Sequence, residues 1–213
     1  MIRTSLAFSK ILLSIDNPRL DISFNEEDAI EKMIVDQKEK IYELAMDIVH
    51  YGLNPLELIA VYPSEIYPDY YEVAEGNRRV CALKLLLSPE KLEHINGGLF
   101  LKFKQLAAEY SVPTYLDVIV FEDERSVRHW MELRHMGEQN GKGLSKWNSV
   151  QKMRFQKSQT GAYALFDFWS WMDSNGVLSL DEITKVTKTN WQRVLREAYY
   201  PFLKLRQHRI TGL

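Results

Sequence analysis

The stretch Tyr71-Glu-Val-Ala-Glu-Gly-Asn-Arg-Arg-Val-Cys-Ala-Leu-Lys-Leu-Leu-Leu87 constrains the fold of this chain more than any other. Its first residues alternate as a strand does, and Val80 to Leu87 runs on as an apolar helix. Gly76-Asn77-Arg78-Arg79 breaks the pattern between them. A strand that turns through glycine into a helix leaves backbone N–H groups unpaired at the turn. They carry the positive end of the helix dipole and favour an anion, phosphate above all. Arg78 and Arg79 add planar, permanently charged forks that match phosphate oxygens. On chemistry alone two readings stay open: an anion pocket, or an ordinary turn whose arginines pair with nearby Asp or Glu.

The surrounding order is informative. Asn17-Pro18-Arg19 is a turn signal. Residues 26–51 carry Ile30, Ile34, Ile41, Leu44, Ala45, Ile48 and Val49 at helical spacing, with a break expected near Asp36-Gln37. Gly52 suits a helix C-terminus, with Pro55 just beyond it. Residues 56–62 read as a strand, Tyr67-Pro68-Asp69-Tyr70 as a hairpin turn, and residues 71–74 as the returning strand. Asn17-Pro18-Arg19, Tyr51-Gly52-Leu53, Asn54-Pro55-Leu56 and the Gly76-x-Arg78-Arg79 box, in that order, resemble the ParB/sulfiredoxin-like superfamily over residues 11–140. The resemblance implies an α+β fold, a small mixed sheet with surrounding helices. It also implies that the box holds nucleotide phosphates, CTP in the chromosome-segregation members and ATP in sulfiredoxins. Sulfiredoxin chemistry needs a cysteine directly before the arginine pair, where this chain has Asn77. Cys81, the only cysteine, lies one helical turn later on the expected buried face, where a thiol acts as a small apolar group.

Further along, Ser88 and Pro89 suit the start of a helix, Asn96-Gly97-Gly98 reads as a loop, and residues 101–110 as an amphipathic helix. Residues 115–121 form the clearest strand, and residues 123–136 a helix. After that helix come Gly137, Gly141 and Gly143, which permit a backbone path with positive φ and a concave row of N–H groups. With Arg134, His135 and Lys142 this segment is expected to close over a triphosphate; a plain loop between domains is the other reading. By position it matches the superfamily segment where an acidic-and-Asn motif helps hold nucleotide and Mg²⁺. Glu132 fits the acidic role, but Leu133 stands where Asn would follow.

Charge divides the chain. Residues 1–141 carry 15 Lys and Arg against 24 Asp and Glu, and residues 142–213 carry 12 against 5. An acidic first domain (1–141) and a basic helical subdomain (142–213) are therefore expected, with DNA held by the second. Phe166, Phe168, Trp169 and Trp171 read as core. Ser179 and Glu182 make a capping box, and the helix pair that follows has the proportions of a helix-turn-helix. Its Lys188, Thr189, Asn190, Gln192, Arg193 and Arg196 are placed to meet phosphates and base edges; a plain helical subdomain is the alternative. No apolar run approaches the roughly 20 residues of a membrane span, the N-terminus lacks signal-peptide order, and the cytoplasm is the expected compartment. The chain reads as part of a longer protein.

Two functions of different class are compatible with these features. In one, the chain is a switch that binds and hydrolyses a nucleotide (ATP or CTP, with Mg²⁺) and acts on DNA, as a homodimer. Gly76 and Asn77 then lie against the phosphates, Arg78 and Arg79 neutralise them, and Glu75 or Glu132 acts on Mg²⁺ or water. DNA cleavage is a variant of this reading, since some ParB-like proteins are nucleases. In the other, the pocket is degenerate and the chain is a DNA-binding or protein-interaction module.

Overall fold

A computed structural model describes residues 1–17, 20–148, 151–152, 155, 164–179 and 182. The chain divides into two compact units, Met1–Met136 and Gly137–Leu213.

The first unit is mixed α+β. Its five strands are β1 (Ile2–Ala7), β2 (Ile11–Leu12), β3 (Ile59–Pro63), β4 (Tyr71–Glu75) and β5 (Tyr115–Val120), in the order β1-β5-β3-β4-β2. β1 runs antiparallel to β5 and β3 antiparallel to β4; β3 is parallel to β5 and β2 to β4. The β-branched run of β5 is thus an interior strand, as its sequence suggests. Successive side chains of a strand point to opposite faces. Ile59, Val61, Val73, Leu116 and Val118 accordingly enter the main core, with Ile30, Met33, Ile41, Ile48, Leu83, Leu85 and Phe103 from the helices. Ala60 and Phe121, with Tyr62, Ala74 and Ile119 beside them, form a smaller cluster with Val127 and Met131.

Four helices serve the main core: α1 (Glu26–Gln37), α2 (Glu39–Tyr51), α3 (Asn77–Leu87) and α4 (Gly97–Ala107). The Asn25 side chain caps α1 by accepting from Asp28 N–H, and Glu26, Glu27 and Asp28 complement the dipole of its first turn. The break between α1 and α2 falls at Lys38, which adopts φ +50°. Gly52 ends α2 with φ +81°, as its sequence predicts. Glu26 ties three elements together: Oε1 accepts from Leu13 N–H and from Lys84 Nζ, each at 2.8 Å.

Several expected boundaries move. α4 begins at Gly97, so the two glycines form its first turn; the Asn96 side chain accepts from Leu99 N–H and starts the helix there. Residues 56–58 are not strand, because Asn54 Oδ1 takes Leu56 N–H at 3.0 Å and leaves Leu56 90% exposed. Pro89–Leu92 is a short 3-10 turn behind Ser88, whose side chain makes no cap.

The fifth helix, α5 (Glu124–His135), is capped by Asp123, which exchanges hydrogen bonds with Ser126. Val127 is its one buried residue. In the second unit, helix Ala164–Ser174 buries Trp169 and Met172 and exposes Trp171; the side chains of Phe166 and Phe168 lie outside the described set. The Ser179–Glu182 capping box is made: Glu182 Oε2 accepts from Ser179 N–H at 2.8 Å, and Ser179 Oγ accepts from Glu182 N–H at 3.4 Å. Lys188, Thr189, Asn190, Gln192, Arg193 and Arg196 lie outside the described residues.

Candidate functional site

The turn from β4 into α3 is tighter than its sequence suggests. Helix geometry starts at Asn77, not after Arg79, so both arginines belong to the first turn of α3. Gly76 makes this possible with φ +100°, a conformation that L side chains resist. It is also closely surrounded: a Cβ there meets Ile59 Cγ1 at 3.1 Å and Arg79 Nη2 at 3.2 Å. The first helical hydrogen bond runs from Val80 N–H to Gly76 C=O at 3.0 Å, and the N-cap residue, a glycine, has no side chain with which to cap the helix. The N–H groups of Asn77, Arg78 and Arg79 precede that bond and face outward from the helix end.

Each residue of the box has a different task. Asn77 is a staple: Oδ1 accepts from Ser14 N–H at 3.1 Å, and Nδ2 donates to Val73 C=O at 3.0 Å. It fixes the segment after β2 against the start of α3. Consecutive helical residues diverge by about 100°, and here the two arginines part company. Arg79 is 7% exposed. It donates to the Glu57 carbonyl and lies 3.9 Å from the Glu57 carboxylate and 3.7 Å from that of Glu75. Burial pulls its pKa down, and the two carboxylates oppose that shift. Arg78 makes no ion pair among the described residues, and its buried Nε has no hydrogen-bond partner.

Glu75 is the hub of a charge network. It lies 3.7 Å from Arg79, 3.5 Å from Arg134 Nε and 2.7 Å from His135 Nε2. Arg134 also reaches Glu57 Oε1 at 2.8 Å. The end of α5 is thereby fastened to the end of β4 and to the segment before β3. Glu57 is hidden in the sequence because residues 56–62 look like one strand; the Asn54-Pro55 turn is the signal that takes it out of the sheet.

These groups line one cavity of about 1010 Å³. Glu75, Gly76, Asn77, Arg78, Arg79, Glu132, Arg134 and His135, all expected at the site, border it. So do residues the sequence did not single out for the site: Ser14 and Asp16 from the segment after β2, Tyr62 and Arg128 on the α5 side, and apolar Met33, Leu44 and Ile48. Tyr62 donates to Glu72 at 3.3 Å, and burial followed by the charges of Glu72 and Glu124 pushes its pKa up. Cys81 lies apart, fully buried, its thiol pushed up to about 12 by burial, as suits a packing residue.

Gly137, Gly141, Lys142 and Gly143 belong to the second unit. Gly137 and Gly141 take φ +83° and +88°. The N–H groups of Gly141 and Gly143 both donate to Glu138 C=O at 2.9 Å, and that of Lys142 to Gln139 C=O at 3.3 Å. These three donors are engaged inside the loop.

No protein-family model and no curated protein matches the sequence. Among solved structures the chain is similar to the C-terminally truncated chromosome-partitioning protein ParB from Caulobacter crescentus, complexed with CTP-gamma-S. The two share 16% identity at a TM-score of 0.41, over 76% of this chain and 64% of that one.

Proposed function

We propose that the cavity at the start of α3 binds the polyphosphate of a nucleotide, CTP or ATP, and that the chain is a nucleotide-dependent switch acting on DNA. The observation that carries the reading is Arg78. An arginine with a buried, unpartnered Nε, one residue into a helix whose N-cap is a glycine, stands beside a cavity of about 1010 Å³. A buried donor without an acceptor is costly, and an anion at the helix N-terminus supplies that acceptor.

The residues fit a nucleotide. Arg78 and the N–H groups of Asn77, Arg78 and Arg79 bind phosphate oxygens; Gly76 lets the backbone approach; Asn77 holds the segment after β2 in place. Arg79 supports the wall from behind, and Arg134 and His135 stand on its rim. Leu44 and Met131, both partly buried on the border of the cavity, offer an apolar surface for the remainder of the ligand. Carboxylates are numerous along the cavity, so the polyphosphate enters with a divalent cation. Mg²⁺ is commonly held by one or two carboxylates plus the phosphates themselves, and we assign the protein carboxylate to Glu132, which borders the cavity. Bound there, Mg²⁺ supplies charge neutralisation across the phosphates, and hydrolysis rests on positioning. DNA contact is assigned to the basic 142–213 segment, with a homodimer as the acting form.

A second reading, a module with a degenerate pocket, is favoured by one observation: Arg79 and Arg134 already have internal carboxylate partners. Calorimetry with CTP and with ATP, with and without Mg²⁺, separates the two. The switch reading expects saturable, Mg²⁺-dependent binding of one nucleotide, weakened at least tenfold in Arg78→Ala, about the 1.4 kcal/mol of one charge-assisted contact. No binding at millimolar concentration leaves the module.

A further inference from the structure

The network on the cavity wall balances its own charges. Two carboxylates, Glu57 and Glu75, face two guanidiniums, Arg79 and Arg134. The two arginines are held very differently. Arg79 has an 8% exposed side chain and a backbone anchor at the Glu57 carbonyl. Arg134 is 32% exposed and makes its shortest contact, 2.8 Å, to the Glu57 carboxylate, itself 41% exposed. A pair so open to water has the strength of a surface ion pair and exchanges partners readily. Both members line the same cavity as Arg78.

We propose that Glu57 is a built-in competitor for the ligand's phosphates. In the ligand-free chain it holds Arg134 as an internal counter-ion, and binding of a polyphosphate transfers Arg134 from Glu57 to the phosphate. This rests on the nucleotide reading above and adds regulation to the same site: the affinity is set below what the cations alone allow. Its direction is distinctive, because loss of an ordinary binding residue weakens the complex, whereas loss of this carboxylate strengthens it. The substitution is mild, since residue 57 anchors Arg79 through its backbone and the carboxylate stands 3.9 Å from that guanidinium.

The test is calorimetry of the wild-type chain, Glu57→Gln, Arg134→Ala and the double variant, using CTP, ATP and inorganic tripolyphosphate, each with Mg²⁺. Glu57→Gln is expected to bind about fivefold tighter, the equivalent of one exposed ion pair. That gain disappears when Arg134 is alanine, because the freed partner is missing. Binding of Glu57→Gln no tighter than wild type overturns the inference. So does an equal gain with and without Arg134, which reports plain repulsion by Glu57 and no exchange. Tripolyphosphate binding without either nucleotide overturns the nucleotide reading alone, and the fivefold comparison is then made with tripolyphosphate. No binding of any probe by either chain overturns both.

Discussion

Arg78 and Arg79 are identical in the sequence and opposite in the fold. Arg79 is buried among carboxylates it neutralises, so removing it takes a cation from Glu75, which keeps Arg134 and His135, and leaves the Glu57 carbonyl without its guanidinium donor. Losing a buried charge-assisted contact of this kind costs about 2 kcal/mol, and urea denaturation of Arg79→Ala is expected to show that loss. Arg78→Ala should unfold within about 0.5 kcal/mol of wild type, because it deletes a buried donor that has no partner. A function-first residue and a stability-first residue thus stand side by side. Cys81 offers a third contrast. With its pKa raised to about 12 by burial, the folded thiol stays protonated where an unfolded one, near 8.5, ionises. The contribution to stability is present below about pH 8.5 and is lost as pH rises towards about 12. A thiol reagent at pH 8 should label Cys81 only after denaturation.

At the level of elements, the sequence was most legible where side chains alternate or repeat. β4, β5, α1, α2 and α5 lie within a residue or two of their expected places, and the capping residues Ser179 and Glu182 pair as their spacing requires. It was least legible where polar side chains set a boundary against apolar pattern. Asn54 removes Leu56 from the sheet, Asn96 draws Gly97 and Gly98 into a helix, and the start of α3 at Asn77 precedes its apolar run. The cavity was legible at the Gly76 box and at Glu132, Arg134 and His135, and not between them: Ser14, Glu57 and Tyr62 come to the site by topology, far from it in sequence. α5 is the most lightly packed of the five helices of the first unit. It buries only Val127, with Met131 packed beside it, and is also held by the Asp123 cap and by Arg134 and His135. Asp123→Ala should cost about 1 kcal/mol. It should appear as roughly fivefold faster amide exchange confined to α5, with the sheet unchanged.

For the whole molecule, charge is distributed by segment: acidic up to Gly141, basic beyond it. If residues 142–213 hold DNA as proposed, affinity should fall steeply as salt rises, with a log–log slope of about −0.9 for each phosphate contacted. Nucleotide binding in the first unit should be far less salt-sensitive and should require Mg²⁺. The nucleotide role requires that a ligand's phosphates sit on the first turn of α3. Residue-resolved NMR reads that position, by following backbone amide signals as CTP or ATP is added with Mg²⁺. Saturable shifts are expected, largest at Asn77, Arg78 and Arg79, and in Arg78→Ala they should need at least tenfold more nucleotide. Saturable binding that leaves these three amides unmoved would place the phosphates elsewhere and contradict the proposed site.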